Sequence, residues 1–251
     1  MELLSADSLS MAWLLAARSL AVRGKRAHDR QAWDLAVEIA NPLAEVAAIR
    51  RGLDEQLARG GLQTVETVAN TIFPEQLWLT SPDRQRFYTR YDHLLPRLRR
   101  FDKNRHGLYF DRLTHWPPGA QHQLNQVEDV ICRILAERRR NNPLRFVYDM
   151  SVFSPANDPR PIGFPCLAYL NVKLDGDQLR LTAHYRNHYF IERSYGNYLG
   201  LARLLAFIGG ATGLSLGPLT CISGHAELDH APRRVLTWLR RICEEYSVSW
   251  S

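Results

Sequence analysis

Residues 166–185, CLAYLNVKLDGDQLRLTAHY, carry the clearest structural signal in the chain. Apolar side chains occupy every second position over 166–174 and again over 179–185, which is typical of strands with one buried face. The tripeptide Asp175-Gly176-Asp177 separates the two runs, and its glycine suits a tight turn. The stretch therefore predicts a β-hairpin.

Helical and extended patterns flank this hairpin on both sides. Apolar residues at helical spacing predict helices over 8–22, 43–59, 62–72, 82–98, 121–138, 196–208 and 231–246. Alternating or short apolar runs predict strands over 33–40, 145–153 and 219–223. Because strands and helices intermingle without a regular βαβ rhythm, we expect a single α+β domain over residues 1–251.

The bulk composition indicates a globular protein. The chain has 251 residues, of which 45% are hydrophobic. No stretch reaches the roughly 18 uncharged apolar residues that a membrane span needs. The apolar run near the N-terminus follows Glu2 and Asp7, whereas a signal peptide carries positive charges before its apolar run. We therefore expect a soluble, cytoplasmic protein with no membrane partner.

The cysteines and the charge narrow the classes of function. The four cysteines lack a CxxC pair, so we expect reduced thiols, each a buried small hydrophobe or a nucleophile. The formal charge of +6 fits an anionic ligand such as a phosphate monoester, or a weak nucleic-acid contact. The densest basic patch, Arg138-Arg139-Arg140, is typical of a solvated helix end, and no pattern of stacked aromatic residues and arginines favours nucleic acid.

Cys166 is the candidate nucleophile. It follows Pro165 at the start of the hairpin, where a stiffened backbone can present a thiol to a cleft. On the alternating pattern alone, Cys166 is equally one more apolar residue of the inward face. Arg186 near the end of the partner strand favours the interpretation of Cys166 as a nucleophile, because a guanidinium favours the thiolate and can hold a phosphate. Asn187 lies beside it, and Asn197 offers the donor and acceptor that suit the amide-like edge of a pyrimidine.

Five motifs in this order resemble the thymidylate synthase and deoxycytidylate hydroxymethylase superfamily. The resemblance is strongest over 145–228 and extends back to residue 105. The motifs are Gly107-Leu108-Tyr109-Phe110-Asp111-Arg112-Leu113, Gly163-Phe164-Pro165-Cys166-Leu167, Tyr185-Arg186-Asn187, Gly196-Asn197 and Ser223-Gly224-His225. The resemblance implies a mixed β-sheet packed with helices.

The resemblance also implies a reaction. A thiolate, here Cys166, adds to carbon 6 of a pyrimidine nucleoside monophosphate, and carbon 5 becomes a nucleophile. Carbon 5 then takes the one-carbon unit of 5,10-methylenetetrahydrofolate, and the product carries a methyl or a hydroxymethyl group. By position, Tyr109 assists proton removal at carbon 5, and Glu66 falls where the family has a catalytic glutamate.

The remaining implied roles concern the substrate. Arg186 and Arg145 are implied phosphate ligands, with Asn187 in the same motif as Arg186. Asn197 is the implied reader of the base, and His225 the implied ribose contact. Family members are homodimers that exchange arginines, so the resemblance places Arg145 in the partner subunit's site.

Two departures from the family's motifs bear on the ligands. The family's Arg-Ser-x-Asp reads Arg186-Asn187-His188-Tyr189, which lacks the aspartate that contacts folate. The family's His-x-Tyr reads His225-Ala226-Glu227, which puts a carboxylate at the sugar position. A carboxylate can accept hydrogen bonds from two hydroxyls, so we expect Glu227 to suit a ribonucleotide.

Two functions stay open on the sequence alone. The first is a transferase that methylates or hydroxymethylates carbon 5 of a pyrimidine nucleotide. The second is a binding or regulatory protein that keeps the nucleotide pocket without one-carbon transfer. A metal site is not expected, because His184 and His188 lie far apart on a strand with no further ligand at suitable spacing.

Overall fold

The computed structural model describes residues 2–24, 26–101, 104, 107–140, 143–159 and 165–250. Gly163 and Phe164 of the cysteine motif lie outside the described residues. The strands are β1 (Glu2–Ser8), β2 (Gln31–Asn41), β3 (Tyr148–Ser151), β4 (Leu167–Asp175), β5 (Gln178–Tyr189) and β6 (Ser215–Glu227). The α-helices are α1 (Leu9–Ala21), α2 (Ala47–Arg59), α3 (Val65–Ile72), α4 (Glu75–Leu79), α5 (Arg84–Leu98), α6 (Tyr109–Thr114), α7 (Gln126–Glu137), α8 (Tyr195–Thr212) and α9 (Arg233–Glu245). A π-helical turn, Phe190–Ser194, leads into α8.

The strands form one mixed sheet in the order β1-β2-β6-β5-β4-β3. The pairs β1 with β2 and β5 with β6 are parallel, and the other three pairs are antiparallel. Helices pack against this sheet, so the predicted α+β class with a mixed β-sheet is confirmed. No helix in the described part of the chain is long and apolar enough to cross a membrane.

The predicted hairpin is β4 and β5. The strands pair antiparallel down to Asp175 opposite Gln178, and Gly176 takes a φ of +60° in the turn between them. Leu179, Leu181 and Ala183 are fully buried, as the alternating pattern predicts.

Helix α8 forms the centre of the helical layer. It is apolar on almost every side and buried along nearly its whole length, which is what a helix enclosed by other elements requires. Gly196 and Gly200 let it approach α3 closely: a Cβ at Gly200 would lie 2.6 Å from the carbonyl oxygen of Ala69. The helix therefore fixes the position of α3 relative to the sheet.

On the central strands β5 and β6, buried side chains alternate with half-exposed ones. On β5 they include Arg180, Thr182 and His184, and on β6 they include Thr220 and Ile222. One face of the sheet thus carries the core, and the other carries a mixture of polar and apolar side chains.

Candidate active site

A cavity of about 260 Å³ lies where the end of β5, the start of β4, α3, α6 and the first turn of α8 meet. Four of the predicted site residues line it, namely Cys166, Tyr109, Asn187 and Asn197. The sequence separates these residues widely, and the hairpin and the helix that follows it bring them together. The other predicted residues lie beside the cavity or away from it.

Cys166 lies immediately before β4 and is half-buried. Its carbonyl accepts a hydrogen bond of 2.8 Å from the backbone N–H of Arg186, which ties the start of β4 to β5. Burial raises the pKa of the Cys166 thiol, and the positive charges of Arg186 and Arg193 oppose that rise. The thiolate therefore depends on these two guanidinium groups.

Tyr109 is the first residue of α6, and its hydroxyl lies next to the backbone of Cys166. The backbone amides of Leu167 and Cys166 hydrogen-bond to it. Burial is the main reason that its pKa is raised above that of a free phenol, with the nearby Cys166 sulfur contributing. At neutral pH Tyr109 is thus a neutral phenol beside the sulfur, able to relay a proton.

Asn197 belongs to a buried chain of polar groups. Its side-chain Nδ2 donates a hydrogen bond of 3.0 Å to Nε2 of His188, and Nδ1 of His188 lies 3.0 Å from the hydroxyl of Ser223. All three side chains are buried. The His188 ring stacks on that of Tyr185, with centroids 4.0 Å apart and planes within 4°. Burial lowers the pKa of His188 to about 3, so its ring is neutral.

Asn187 connects the cavity to His225. The side-chain oxygen of Asn187 lies 2.6 Å from Nδ1 of His225, whose Nε2 lies 2.7 Å from the amide oxygen of Gln31. His225 is therefore held behind Asn187, outside the set of residues that line the cavity. Glu227 pairs in register with Tyr189, which does line it.

Arg186 supports the cysteine loop. Its Nε and Nη2 donate hydrogen bonds of 3.1 and 2.6 Å to the carbonyl of Pro165, and its guanidinium carbon lies 4.8 Å from the centre of the Phe153 ring. Arg186 is not among the residues that line the cavity. These contacts tie Arg186 to Pro165, the residue immediately before Cys166, and to Phe153.

Glu66 lies outside the cavity, in a network of ion pairs. Arg203 binds it bidentately at 2.8 and 3.0 Å, and Arg50 adds a contact of 2.9 Å. The hydrogen bonds from Arg203 are the main cause that lowers the pKa of Glu66. Since its carboxylate is occupied by two arginines that join α2, α3 and α8, this placement does not support the expected catalytic role.

Arg145 is exposed and lies at the far end of β4 from Cys166. Its carbonyl accepts a hydrogen bond from the backbone N–H of Leu174, near the end of the strand that Cys166 precedes. A strand of that length spans roughly 26 Å. Arg145 therefore cannot reach the cavity of its own chain.

Arg193 and His188 also line the cavity, although no sequence motif predicts either of them as a site residue. Arg193 donates a hydrogen bond of 2.6 Å to the side chain of Gln63, and it lies four residues before Asn197 in the helical segment. The four-residue helical spacing is the signal that places Arg193 on the same face as Asn197. On the sequence, the spacing of His188 from His184 raises only the question of a metal site. The burial alternation of β5 shifts by one position between Arg186 and Asn187, so His188 faces inward while His184 does not.

A second cavity of about 630 Å³ adjoins the first. The two share Gln63, Thr71, Asn104 and Leu108. Apolar side chains form one wall of the second cavity, and they are Leu77, Tyr91, Leu94, Leu98 and Phe101. Amide and hydroxyl side chains form the other wall, including Thr67 and Asn70. The arrangement suits a large, flat group that reaches into the cysteine cavity.

One further cluster in the described part of the chain has metal-ligand chemistry. Glu192, Asp229 and His230 offer ligand atoms within 4.8 Å of one another. Asp229 already accepts hydrogen bonds from the backbone N–H groups of Ile191 and Glu192, and burial raises its pKa to about 6. The cluster is thus engaged in holding the π-helical turn.

Comparison with known proteins gives two distant relatives. The chain is 28% identical over 123 residues to a protein of Methanococcoides burtonii and 27% identical over 123 residues to one of Methanosarcina acetivorans, both named "Putative thymidylate synthase". In each case the match covers 49% of this chain and 52% of the relative, so the chain spans about half the length of the curated relatives it matches. No family model matches the chain. The relatives support a distant thymidylate-synthase-like relationship.

Proposed function

We propose that this chain is a thymidylate-synthase-like transferase that adds a one-carbon unit to carbon 5 of a pyrimidine nucleoside monophosphate. The observation that carries the proposal is the cavity in which Cys166, Tyr109 and Asn197 meet. A cysteine can act as the nucleophile, a neutral phenol can relay a proton, and an amide can hydrogen-bond the polar edge of a pyrimidine. The two distant relatives support the same class of reaction.

The proposed chemistry begins at the sulfur. The Cys166 thiolate forms a bond to carbon 6 of the ring, and the electron pair of the 5,6 double bond moves to carbon 5. Asn197 binds the polar edge of the base and stabilises the charge that reaches the carbonyl oxygen. Carbon 5 uses that electron pair to form a bond to an electrophile, which is a proton from water in the exchange reaction and the one-carbon unit in the transfer. The original proton on carbon 5 then leaves through Tyr109 to water, its electron pair re-forms the 5,6 double bond, and the thiolate departs from carbon 6. The sulfur is regenerated, and carbon 5 keeps its new substituent.

The phosphate has two sources of positive charge in its own chain and one in a second copy in this proposal. Arg193 lines the cavity. Arg186 lies next to it, where it donates a hydrogen bond to the carbonyl of Pro165, the residue before Cys166. Arg145 acts in the cavity of a second copy, because it cannot reach its own. The proposal therefore requires a homodimer.

The adjoining cavity is the proposed site of 5,10-methylenetetrahydrofolate. Its size, its apolar side chains Leu94, Leu98 and Phe101, and the residues it shares with the cysteine cavity fit a flat pterin with an aryl tail. When bound, the group supplies the one-carbon unit. Tyr189 stands where the family carries the aspartate that contacts folate, so the amides of Gln63 and Asn70 would take over its recognition.

Release of tritium from carbon 5 tests the proposal without folate. Uridine and cytidine monophosphates labelled at carbon 5, in ribo and deoxyribo forms, are incubated with the protein, because adduct formation alone labilises that hydrogen. We expect release to water that disappears in Cys166→Ser and persists in Cys132→Ser, whose thiol is exposed on α7. Faster release from the ribonucleotides would support the role of Glu227 at the sugar, and a strong deoxyribo preference would contradict it.

The raised pKa of the Cys166 thiol favours one alternative, a nucleotide-binding or regulatory protein that keeps the pocket without transfer chemistry. That alternative predicts measurable nucleotide binding together with no release from any labelled nucleotide. The same experiment therefore separates the two functions.

A further inference from the structure

The buried chain Ser223–His188–Asn197 has two self-consistent hydrogen-bond arrangements. In the first, Nδ1 of His188 carries the proton and donates to Ser223, and Nε2 accepts from the amide Nδ2 of Asn197. In the second, the Ser223 hydroxyl donates to Nδ1, and Nε2 donates to the amide oxygen of Asn197. A neutral imidazole has one donor and one acceptor, so a change at one end forces the change at the other.

The structure places Nδ2 of Asn197 3.0 Å from Nε2 of His188, which is the contact that the first arrangement contains. The surroundings favour it electrostatically. Arg193 lies one helical turn before Asn197 and lines the same cavity, and a positive charge attracts the amide oxygen towards the cavity rather than towards His188. The parallel stack on Tyr185 fixes the plane of the imidazole, so the two arrangements differ by the position of protons and the rotation of one amide.

Resting on the proposed function, we propose that His188 is a positioning residue whose tautomer sets which edge of a pyrimidine Asn197 reads. With its proton on Nδ1, His188 accepts one hydrogen of the Asn197 amide. The other amide hydrogen and the amide oxygen then match the carbonyl at carbon 4 and the N–H at position 3 of uracil. With its proton on Nε2, His188 donates to the amide oxygen of Asn197, which rotates the amide by 180°. A pyrimidine in the same position then meets the partners that the amino group at carbon 4 and the unprotonated nitrogen 3 of cytosine require. The arrangement in the structure therefore favours a uracil nucleotide.

Long-range proton–nitrogen spectra of the isotope-labelled full chain test the tautomer directly. The His188 signals are identified among those of the nine histidines by their loss in His188→Phe. We expect the Nδ1–H tautomer in the free protein and a switch to Nε2–H in Asn197→Asp, because a carboxylate can only accept. An Nε2–H or charged ring in the free protein, or no switch in Asn197→Asp, would overturn the inference, and neither result depends on nucleotide binding.

Calorimetry with uridine and cytidine monophosphates tests the consequence for the base. We expect the wild type to prefer uridine by about tenfold or more, since a mismatched amide leaves buried polar groups unpaired. His188→Phe keeps a ring on Tyr185 and removes both nitrogens, so its preference should fall to within about threefold as the amide becomes free to rotate. His184→Phe, on the outward face of the same strand, should keep the wild-type preference.

The outcomes separate this inference from the proposed function. If the wild type binds one nucleotide better and His188→Phe keeps the same preference, the role of His188 is wrong and the pocket assignment stands. If the wild type binds neither nucleotide, the proposed function and the base-reading role fail together. A cytidine preference combined with an Nδ1–H tautomer would overturn the proposed link between tautomer and base.

Discussion

At the scale of single residues, the reactivity of Cys166 is a balance between burial and charge. Burial disfavours the thiolate, and the guanidinium groups of Arg186 and Arg193 favour it. Arg186 is committed to the carbonyl of Pro165, whereas Arg193 lines the cavity itself. The second arginine is therefore the one whose removal should change the sulfur without displacing the loop that carries it.

We expect Arg193→Gln to raise the pKa of the Cys166 thiol further. The rate of alkylation by iodoacetamide follows the thiolate fraction, so its rise with pH should move to higher pH and the rate at neutral pH should fall several-fold. The measurement is made in a Cys132→Ser background, which removes the exposed thiol. Arg233→Gln on the exposed first turn of α9 is the matched control, and an unchanged profile in Arg193→Gln would show that its charge does not act on the sulfur.

The local sequence motifs predict Cys166, Asn187 and Asn197 as site residues. These three residues line one cavity, and their chemical roles remain predictions. The sequence does not identify His188, because a histidine on a strand carries no signal of what its two nitrogens contact. Nor could it anticipate that Arg186 would bond to a backbone carbonyl, since that contact depends on how the loop before β4 turns.

At the scale of elements, the spacing of apolar residues along the sequence predicts most helices and strands. The elements that it does not predict have physical explanations. The β4–β5 hairpin needs only its alternating pattern and its glycine turn. Strand β1 was not predicted, because its side chains alternate between half-buried and exposed and its order comes from parallel pairing with β2. Helix α6 has six residues, too few to show a helical period.

The contact between α3 and α8 depends on glycine at Gly200. A Cβ there would lie 2.6 Å from the carbonyl oxygen of Ala69 and 2.8 Å from the Cβ of Ile72. We expect Gly200→Ala to lower the free energy of unfolding by about 1–3 kcal/mol, as overpacking of a buried contact does. Urea denaturation with a common slope measures the difference.

Gly210 in the same helix is the control for this prediction. A Cβ at Gly210 meets nothing within 4 Å, and the residue is exposed. Gly210→Ala should therefore raise the free energy of unfolding by about 0.5–1 kcal/mol through helix propensity alone. Equal effects of the two substitutions would contradict the role assigned to close packing.

At the scale of the whole molecule, the sheet separates the two groups of proposed phosphate ligands. Cys166 and the cavity lie at one end of β4, and Arg145 lies at the other end on an exposed loop. The sequence resemblance implies an arginine shared between subunits, and the length of β4 keeps Arg145 away from the cavity of its own chain. A single copy of the chain leaves Arg145 without a role in its own site.

Mixing two inactive variants tests the shared site. We expect Cys166→Ser and Arg145→Ala each to release little tritium from the labelled nucleotide alone. After unfolding and refolding together in equal amounts, release should return to about a quarter of the wild-type rate, because half of the randomly paired dimers are mixed and each holds one intact site.

A pair of changes in the same cavity provides the control for the mixing experiment. Cys166→Ser mixed with Tyr109→Phe leaves no intact site in any dimer, so release should stay absent. Full release by Arg145→Ala alone, or no recovery on mixing it with Cys166→Ser, would remove the arginine from the site and with it this reason for a dimer.

The position of β6 in the sheet has a consequence for synthesis of the protein. β6 lies between β2 and β5, so it is the only described strand that joins the pair β1-β2 to the trio β5-β4-β3. Its partners on one side belong to residues 31–39, which leave the ribosome long before it does. A chain made only as far as residue 214 would leave β2 and β5 each without its β6 partner, and unpaired strand edges invite association with other chains. Closure of the sheet therefore has to wait for residues 215–227.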